Sequence, residues 1–226
     1  MYIIHLFHSG FLIENQGNYF VFDPISTFTI PENYKHLFVL ASHSHDDHFK
    51  PEVFKHYYQE EKAQFIFSRD IEDKIDKEDI CNLHIVDPYE NMVIDDIRIE
   101  SYGSTDKGNS YLVHANEKSY FHSGDLNWWH WNRMNGEELK VEEMDYKKEI
   151  NLLQGKAIDY AFIPVDPRLG EHAYLTINHF IEVVKPKVVI PMHAFGRYDF
   201  YEDLQSHVDL KDTALIRVEG ENERLV

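Results

Sequence analysis

Three histidines and two aspartates occupy the six positions His43-Ser44-His45-Asp46-Asp47-His48. Imidazole nitrogens and carboxylate oxygens are common protein ligands of zinc and similar divalent ions. Without a cation, so many of these groups side by side would repel one another or leave hydrogen-bonding capacity unused. A solvated polar loop is the alternative interpretation, and it would suit a single histidine. The density of ligands in this segment instead predicts a metal site.

The spacing within the segment also predicts its backbone. In an extended chain His43 and His45 point to the same side, whereas the Asp-His pair that follows cannot face the same ion from a strand. A turn must therefore come after the apolar run Leu37-Phe38-Val39-Leu40-Ala41. Proline is favoured at the first position of a helix, and the apolar residues that follow Pro51 have helical spacing. We expect the segment to be a loop between a strand and a helix.

The pattern His43-x-His45-x-Asp47-His48 resembles the H-x-H-x-D-H signature of the metallo-β-lactamase superfamily. Two later segments, Ser123-Gly124-Asp125 and Pro191-Met192-His193, are similar to further metal-binding segments of that superfamily. The resemblance covers most of the chain. It implies an α/β fold, namely an αββα four-layer sandwich of the metallo-β-lactamase type built from two related halves. We expect residues 1–226 to form a single domain of this type.

The resemblance also implies a set of metal ligands: His43 and His45 bind one ion, Asp47, His48 and His193 bind a second, and Asp125 bridges them. The bridging role has a physical basis, because a carboxylate has two oxygens that can span two ions roughly 3.5–4 Å apart. Taken alone, Gly124-Asp125 would be an ordinary turn and His193 a structural residue. The upstream cluster is what makes both of them candidate ligands.

The sequence departs from the superfamily at the middle metal segment, where the usual histidine is absent and Ser104-Thr105-Asp106 stands instead. Asp106 is the best substitute, because a carboxylate is a competent ligand and Gly103 and Gly108 give the loop freedom to direct it. The alternative is an aspartate that caps a turn. An oxygen ligand would shift the metal preference from zinc towards manganese or iron. We expect one or two ions per chain, zinc first, with manganese or iron as alternatives.

Two further histidines lie close to these segments in the sequence. His8 follows the first predicted strand, and we expect a structural role for it, although it could approach the metal loop. His122 faces away from Ser123 on its strand and is one residue out of phase with Asp125, which favours a place in the core or behind the ligands. The aromatic run Trp128-Trp129-His130-Trp131 must either pack under a loop or line a pocket, and the sequence leaves both open.

Composition limits the partners of the protein. The formal net charge is −18, which repels nucleic-acid backbones and anionic membranes, so we expect no nucleic-acid partner. No run approaches the roughly 20 apolar residues of a membrane span, and no secretory leader is evident. The single cysteine, Cys81, cannot form an intramolecular disulfide and suits a reducing compartment. We therefore predict a cytoplasmic protein with no membrane partner, and leave its oligomeric state open.

Periodicity predicts mainly strands in the first half and alternating strands and helices in the second. Beyond the run that ends at Ala41, the predicted strands are Tyr2–Phe7, Gly10–Glu14, Tyr19–Phe22, Gln64–Phe67, Leu83–Val86, Met92–Ile94, Ile97–Glu100, Ser110–His114, Ser119–His122, Ile158–Val165 and Lys187–Ile190. The predicted helical stretches are the segment after Pro51, Arg69–Asp79, Glu137–Gln154, Thr176–Val184 with Thr176 as its cap, and Tyr198–His207. We expect Glu137–Gln154 to cover the site.

Together these features predict a metal-dependent hydrolase. A hydroxide held between the ions would be the nucleophile, because metal binding lowers the pKa of water from 15.7 to about 7. Asp47 could accept or relay the proton, so no serine or cysteine nucleophile is required. The resemblance allows a small-molecule substrate with an ester-like bond (a phosphodiester, a lactone or a thioester), and the sugar-phosphate-lactonase-like branch is the most similar. Arg168, His172 and Arg197 are candidate contacts for an anionic substrate.

Two other functions stay open at this point. Related folds hold di-iron centres that reduce oxygen or nitric oxide, and a carboxylate at Asp106 would suit iron. That chemistry requires an external electron donor. The other alternative is a degenerate binding module that keeps the fold and one structural metal ion without catalysis.

Overall fold

Short strands joined by tight turns and loops dominate the computed structural model, which describes residues 1–226. The strands are β1 (Tyr2–Phe7), β2 (Gly10–Asn15), β3 (Asn18–Phe22), β4 (His36–Ala41), β5 (Ala63–Ser68), β6 (Leu83–Val86), β7 (Asn91–Ile94), β8 (Ile97–Tyr102), β9 (Ser110–Ala115), β10 (Lys118–His122), β11 (Tyr160–Pro164), β12 (Val188–Met192), β13 (Ala214–Leu215) and β14 (Glu223–Arg224). They form two seven-stranded sheets, in the orders β14-β1-β2-β3-β4-β5-β6 and β13-β12-β11-β10-β9-β8-β7.

Both sheets follow one plan. In the first, β1 to β3 form an antiparallel meander and β3 to β6 are parallel. In the second, β7 to β10 are antiparallel and β10 to β13 are parallel. The turn between β2 and β3 has positive φ at Gln16 (54°) and Gly17 (85°), a geometry whose twist matches that of the strands it joins. The two mixed sheets and their flanking helices confirm the predicted αββα sandwich.

Three α-helices accompany the sheets: α1 (Gly136–Asn151), α2 (Leu175–Val184) and α3 (Leu204–His207). The first confirms the predicted helical excursion after β10. Asn135 and Glu138 form a capping box at its start, which satisfies backbone N–H groups that have no partner within the helix. None of the helices has the length and apolar character needed to cross a lipid bilayer.

The apolar residues of β4 are buried on both faces of the strand. Phe38 and Leu40 pack between the two sheets, while Leu37, Val39 and Ala41 belong to a second apolar cluster on the other face of the first sheet. A parallel strand covered on both sides has a continuous apolar run rather than an alternating one. The uninterrupted run before the metal motif is therefore a strand, as predicted, and it lies inside the first sheet between β3 and β5.

Three predicted helical stretches are shorter than expected. The segment after Pro51 forms two single-turn 3-10 helices, Pro51–Val53 and Lys55–Tyr57, and Arg69–Asp79 forms two more, Arg69–Lys74 and Lys77–Asp79. The last predicted helix is divided into a 3-10 turn, Tyr198–Tyr201, and α3. Aromatic and β-branched residues have modest helix propensity, and Phe54 and Ile71 are fully buried against the first sheet. Packing on the sheet therefore outweighs the helical periodicity in these segments.

The prediction that Thr176 caps α2 is wrong. The helix begins at Leu175, and no side chain caps it. The Thr176 hydroxyl instead donates to the side chain of Asn127 and accepts the backbone N–H of Trp128 at 2.9 Å. This residue therefore ties α2 to the loop after β10.

The loops that carry the predicted ligands lie at one end of the sandwich. In the first sheet β1, β3 and β4 run in the same direction, and in the second sheet β8, β10, β11 and β12 do so. The carboxyl ends of parallel strands meet at a common edge, which is where ligands bind in α/β folds. The predicted ligands follow β4, β8, β10 and β12, so the topology places those of each sheet at one edge, and the packing of the two sheets brings both edges together.

Candidate metal centre

The H-x-H-x-D-H segment is a tight loop held by Asp23. Ser42 donates to the Asp23 carboxylate from its backbone N–H at 2.7 Å and from its hydroxyl at 2.6 Å. The chain then turns, and the backbone N–H of His48 donates to the carbonyl of His45 at 2.9 Å. The predicted turn after the paired histidines is therefore present, and it brings the second half of the motif round towards the sheets.

The first cluster of candidate ligands consists of His43, His45, Asp106 and Asp125. The Nε2 atom of His43 lies 3.0 Å from Nδ1 of His45 and 3.6 Å from Oδ2 of Asp125. Nδ1 of His45 lies 3.4 Å from Oδ2 of Asp106. One ligand atom from each of the four residues lies within 4.8 Å of the others. Two imidazole nitrogens and two carboxylate oxygens at this separation can hold a divalent ion.

The second cluster consists of His8, Asp47, His48 and His193. Nε2 of His48 and Nε2 of His193 lie 3.0 and 3.1 Å from Oδ1 of Asp125. Since the other oxygen of Asp125 faces His43, this carboxylate lies between the two clusters. The structure thus brings together all seven candidate ligands named from the sequence, with Asp106 beside His43 and His45, and with Asp47, His48 and His193 in the other cluster.

We expected a structural role for His8 and left open that it approaches the metal loop, and the structure places it beside that loop. Its Nε2 lies 3.6 Å from Oδ2 of Asp47, and its ring centroid lies 4.1 Å from that of His193. It has a positive φ of 56° in the turn between β1 and β2. The available signal was topological: β1 runs parallel to β4, so a histidine at its carboxyl end reaches the same edge as the motif.

Four buried atoms at the meeting point of the clusters have no hydrogen-bond partner: Nε2 of His8, Nε2 of His48, Nε2 of His193 and Oδ1 of Asp125. The last three lie close together but lack the angles of a hydrogen bond. Leaving a buried polar atom unpaired costs about 1–3 kcal/mol, and native proteins contain few such atoms. Nδ1 of His8 accepts the backbone N–H of Phe195 at 3.3 Å, so the hydrogen of this neutral ring lies on Nε2. The nitrogens of His48 and His193 and the oxygen of Asp125 converge as the donor set of a divalent cation, so these three residues fit a metal.

The ring nitrogens that point away from the clusters are held by other side chains. Nδ1 of His48 donates to the Asp23 carboxylate at 2.7 Å, and Nδ1 of His43 reaches the same carboxylate through the hydroxyl of the preceding residue. Nδ1 of His193 donates to Asp166 at 3.2 Å. Such partners keep a hydrogen on Nδ1, so Nε2 is the nitrogen that can bind a metal once any proton on it is released.

Burial and neighbouring charges set the protonation of the clusters. Burial lowers the pKa of His8 to about 3 and that of His43 to about 4, so both rings are neutral at neutral pH. Burial also lowers the pKa of His48, but the carboxylates of Asp125 and Asp23 outweigh it and raise that pKa well above its usual value. In the metal-free protein His48 is therefore protonated, and metal binding there releases its proton.

Asp106 does not cap its turn. The hydroxyl of Ser104 supplies that contact by accepting the backbone N–H of Asp106 at 3.2 Å. The Asp106 carboxylate accepts no hydrogen bond and faces His45 instead. Burial, followed by the charge of Asp125, raises its pKa. A carboxylate that is crowded by another carboxylate and lacks a donor is placed as a metal ligand would be.

Gly108 brings the Asp106 loop close to the motif. Its φ is 69°, a left-handed conformation that glycine adopts without strain. A Cβ atom at this position would collide with the carbonyl oxygen of Ser42. The next residue, Asn109, donates its backbone N–H to that same carbonyl at 2.8 Å. This close approach is what places Asp106 beside His45.

His122 lies in the core behind the clusters, in agreement with the prediction that it is a core residue or lies behind the ligands. Its Nε2 donates to the carbonyl of Ser9 at 2.8 Å, and its Nδ1 accepts the backbone N–H of Gly124 at 3.2 Å. The ring stacks on Phe22 at 5.0 Å between centroids. His122 therefore holds the loop that carries Asp125 and is not itself among the candidate ligands.

A cavity of about 330 Å³ opens in front of the clusters. Its wall is formed by the loops of the metal site, by the segment from Trp129 to α1, and by Arg168. The lining residues are His45, Asp47, Thr105, Asp106, Asp125, Trp129, Trp131, Met134, Glu142 and Arg168. Glu142 belongs to α1, so this helix borders the site as expected. Of the three candidate anion contacts only Arg168 lies in the cavity wall, and His172 and Arg197 do not.

The aromatic run is divided between the two roles that the sequence left open. Trp129 and Trp131 line the cavity and stack on each other, with ring centroids 5.6 Å apart and planes within 3°. Trp128 packs on Tyr146 of α1 at 6.0 Å between centroids. The ring of His130 lies 4.0 Å from that of His172, outside the cavity.

The αββα sandwich and the paired histidine and aspartate clusters define a metal-binding protein. A family model described as a β-lactamase superfamily domain matches residues 2–193. The chain therefore belongs to the metallo-β-lactamase superfamily, and the resemblance seen in its sequence is confirmed. None of the curated proteins compared with it matches the sequence.

Solved structures show the same fold at low sequence identity. A metallo hydrolase from the archaeon Ignicoccus hospitalis is 18% identical with a TM-score of 0.63, over 99% of this chain and 97% of that one. A metallo-β-lactamase fold protein from Bacillus subtilis is 10% identical with a TM-score of 0.63, over 99% and 98%. A diiron β-hydroxylase from Streptomyces venezuelae is 12% identical with a TM-score of 0.62, over 99% of this chain. This chain spans only 53% of the hydroxylase.

Proposed function

We propose that the protein is a metal-dependent hydrolase with a dinuclear centre. The observation that carries this proposal is the position of Asp125, whose two oxygens face two separate clusters of candidate ligands. In the proposed centre His43, His45 and Asp106 hold the first ion, Asp47, His48 and His193 hold the second, and Asp125 bridges them. His8 lies beside the second group, with the hydrogen on Nε2 directed towards the Asp47 carboxylate. Zinc is the first expectation for both positions, with manganese or iron as alternatives.

Bound divalent ions would supply Lewis acidity and a water with a pKa of about 7 instead of 15.7. The protein's own contribution is to place the substrate and to manage the proton. Asp47 lines the cavity, and its pKa is held below the usual range because the nearby His8 and His48 outweigh its burial. Its carboxylate is therefore ionised at neutral pH, which is the form that binds a metal ion, whereas a low pKa opposes a role as the proton acceptor. Trp129 and Trp131 form an apolar wall that limits the access of water.

The substrate that we propose is a small molecule with an ester-like bond, namely a phosphodiester, a lactone or a thioester. The cavity volume of about 330 Å³ is at the small end of the range for ligand pockets, which is roughly 300–1,000 Å³. No serine or cysteine lines the cavity, so the chain offers neither as a nucleophile there. The exposed Cys81 lies outside the cavity.

A di-iron oxidative function is the second candidate. It is favoured by the three carboxylates Asp47, Asp106 and Asp125, because oxygen-rich sites accept iron more readily than all-histidine sites do. Such a function would need an external electron donor.

Elemental analysis and a substrate panel test these proposals together. Protein purified without chelator from metal-supplemented medium should carry between one and two transition-metal equivalents per chain. Less than a tenth of an equivalent would exclude a metalloenzyme. The panel contains phosphodiesters, lactones and thioesters, and metal-dependent cleavage of one class supports the hydrolase. Iron content together with donor-dependent oxygen consumption, and no hydrolysis, would favour the oxidative function instead.

A further inference from the structure

Arg168 is the only lysine or arginine in the wall of the metal cavity. It lies in a 3-10 helix, Pro167–Tyr174, that follows β11. Its backbone N–H and its side chain both bind Asp166: the backbone N–H donates to Oδ1 at 2.8 Å, and Nη2 donates to Oδ2 at 2.6 Å. Asp166 is fully buried, so this anchor is fixed. The guanidinium is thus held in one orientation.

Two aromatic rings hold the same guanidinium from the sides. Its central carbon lies 4.3 Å from the ring centroid of Phe195 and 5.5 Å from that of Trp131. A cation over an aromatic face gains about 0.5–1 kcal/mol at exposed sites. The side chain is still 47% exposed, and its Nη1 has no hydrogen-bond partner in the protein. Arg168 therefore presents a preorganised cation with a free donor at the edge of the cavity.

Arg168 also has a defined position relative to the metal centre. Its anchor Asp166 accepts the Nδ1 hydrogen of His193, so Arg168 and His193 share one carboxylate oxygen. Phe195, whose ring packs against the Arg168 guanidinium, is two residues from His193. Glu142 of α1 also lines the cavity and adds a negative charge there. Of these two charged groups, only Arg168 attracts an anion.

We propose that the substrate carries an anionic group, a carboxylate, sulfonate or phosphate remote from the scissile bond, which binds Nη1 of Arg168. This inference rests on the proposed hydrolase and deepens it by defining the substrate class. Two dications, the three carboxylates Asp47, Asp106 and Asp125 and a bound hydroxide would sum to about zero net charge, so the attraction for a remote anionic group comes from Arg168. Glu142 would repel the anionic group, so that group lies at the Arg168 end of the cavity.

Binding of a matched pair of small probes to the metal-loaded protein tests this proposal without any turnover. Benzenesulfonate carries one negative charge and is a weak metal ligand, whereas methyl phenyl sulfone has a similar shape and no charge. Calorimetric titration of the wild-type protein should show at least tenfold tighter binding of the sulfonate. Equal binding of the two probes to the wild-type protein would overturn the proposal, and this outcome requires no variant to fold.

Three variants assign the preference to the guanidinium. Arg168→Gln should abolish the preference for the sulfonate, and Arg168→Lys should keep part of it, because lysine retains the charge but not the fixed fork. Arg197→Gln removes the same charge outside the cavity and should behave as wild type. A full preference in a metal-loaded Arg168→Gln protein would overturn the proposal. Failure to cleave any substrate would refute the hydrolase and leave these binding results interpretable.

Discussion

Replacement of Asp106 by alanine tests the least usual part of the proposed centre. The Asp106 carboxylate stands where the superfamily has a histidine, lies 3.4 Å from Nδ1 of His45 and accepts no hydrogen bond. If it binds the first ion, Asp106→Ala should lose that ion and keep the one held by His48 and His193. Metal content should then fall from two equivalents per chain to one.

The structure sets the size of the effect. We expect the affinity for the first ion to fall by at least about 100-fold, the upper end of the loss caused by removing a partner outside the coordination shell. With metal at 100 times the wild-type Kd, the first ion stabilises the fold by about 2.7 kcal/mol, and in the variant it would contribute only about 0.4 kcal/mol. For a chain of this length the lost metal-dependent increase in Tm is about 5–9 °C.

The substitution should have little effect on the free energy of unfolding of the metal-free protein. Burial and Asp125 raise the pKa of Asp106, and a carboxylate whose pKa is raised in the folded state destabilises that state when it is ionised. Its removal at neutral pH should therefore change the free energy of unfolding by no more than about 0.5 kcal/mol. A turn-capping aspartate would behave in the opposite way, with a cost of about 0.5–2 kcal/mol that is independent of metal.

Thermal unfolding of the variant with and without metal, together with elemental analysis, separates these outcomes. Asp46→Ala is the matched control. It also removes one negative charge from this region, but the Asp46 side chain is 99% exposed and does not face the clusters. Asp106→His should restore zinc affinity if the loop has the superfamily geometry. Two tightly bound ions in Asp106→Ala would refute the assignment of Asp106 as a ligand.

Three other substitutions test further parts of the site. Asp47→Ala should abolish hydrolysis in a protein whose circular dichroism is unchanged, and full activity would show that this residue is dispensable. His8→Gln should weaken the second ion about tenfold, measured by competition with a chelator, whereas unchanged affinity would return His8 to a structural role. Gly108→Ala should cost at least about 3 kcal/mol by denaturant unfolding. Gly155→Ala is the control, because Gly155 also has a positive φ (80°) but an added Cβ would meet no atom within 4 Å. This substitution should cost only about 1 kcal/mol.

The sequence predicted most of the site because the ligands stand next to recognisable strand ends. The histidine motif follows an apolar run that can only be a central strand, and Asp125 and His193 follow β10 and β12. His8 could not be assigned in this way, because its neighbours in space lie far along the chain and the pairing of β1 with the sheet decides its position. Thr176 shows a different limit: its hydroxyl is taken by a loop nearly 50 residues away, which no local capping rule reveals.

The helical predictions show where packing against a sheet, and not local periodicity, determines the type of helix. The residues after Pro51 have helical spacing, yet the structure forms separate 3-10 turns there. Phe54 is buried beneath them against the first sheet, and this anchor fixes the backbone more strongly than the helix propensity of the surrounding residues does. Periodicity identified the buried face correctly and the type of helix incorrectly.

The division of ligands between the two sheets has a consequence for how the chain is held together. The loops of the first sheet supply His8, His43, His45, Asp47 and His48, and those of the second supply Asp106, Asp125 and His193. Each proposed ion therefore joins both halves of the molecule, as a cross-link would in a chain whose single cysteine forms no disulfide. His48 and His193, which the second ion would join, are 145 positions apart (193 − 48), so such a link closes a very long loop of the unfolded chain. Metal binding would therefore add to the apolar core in holding one sheet on the other, and neither half alone contains a complete site.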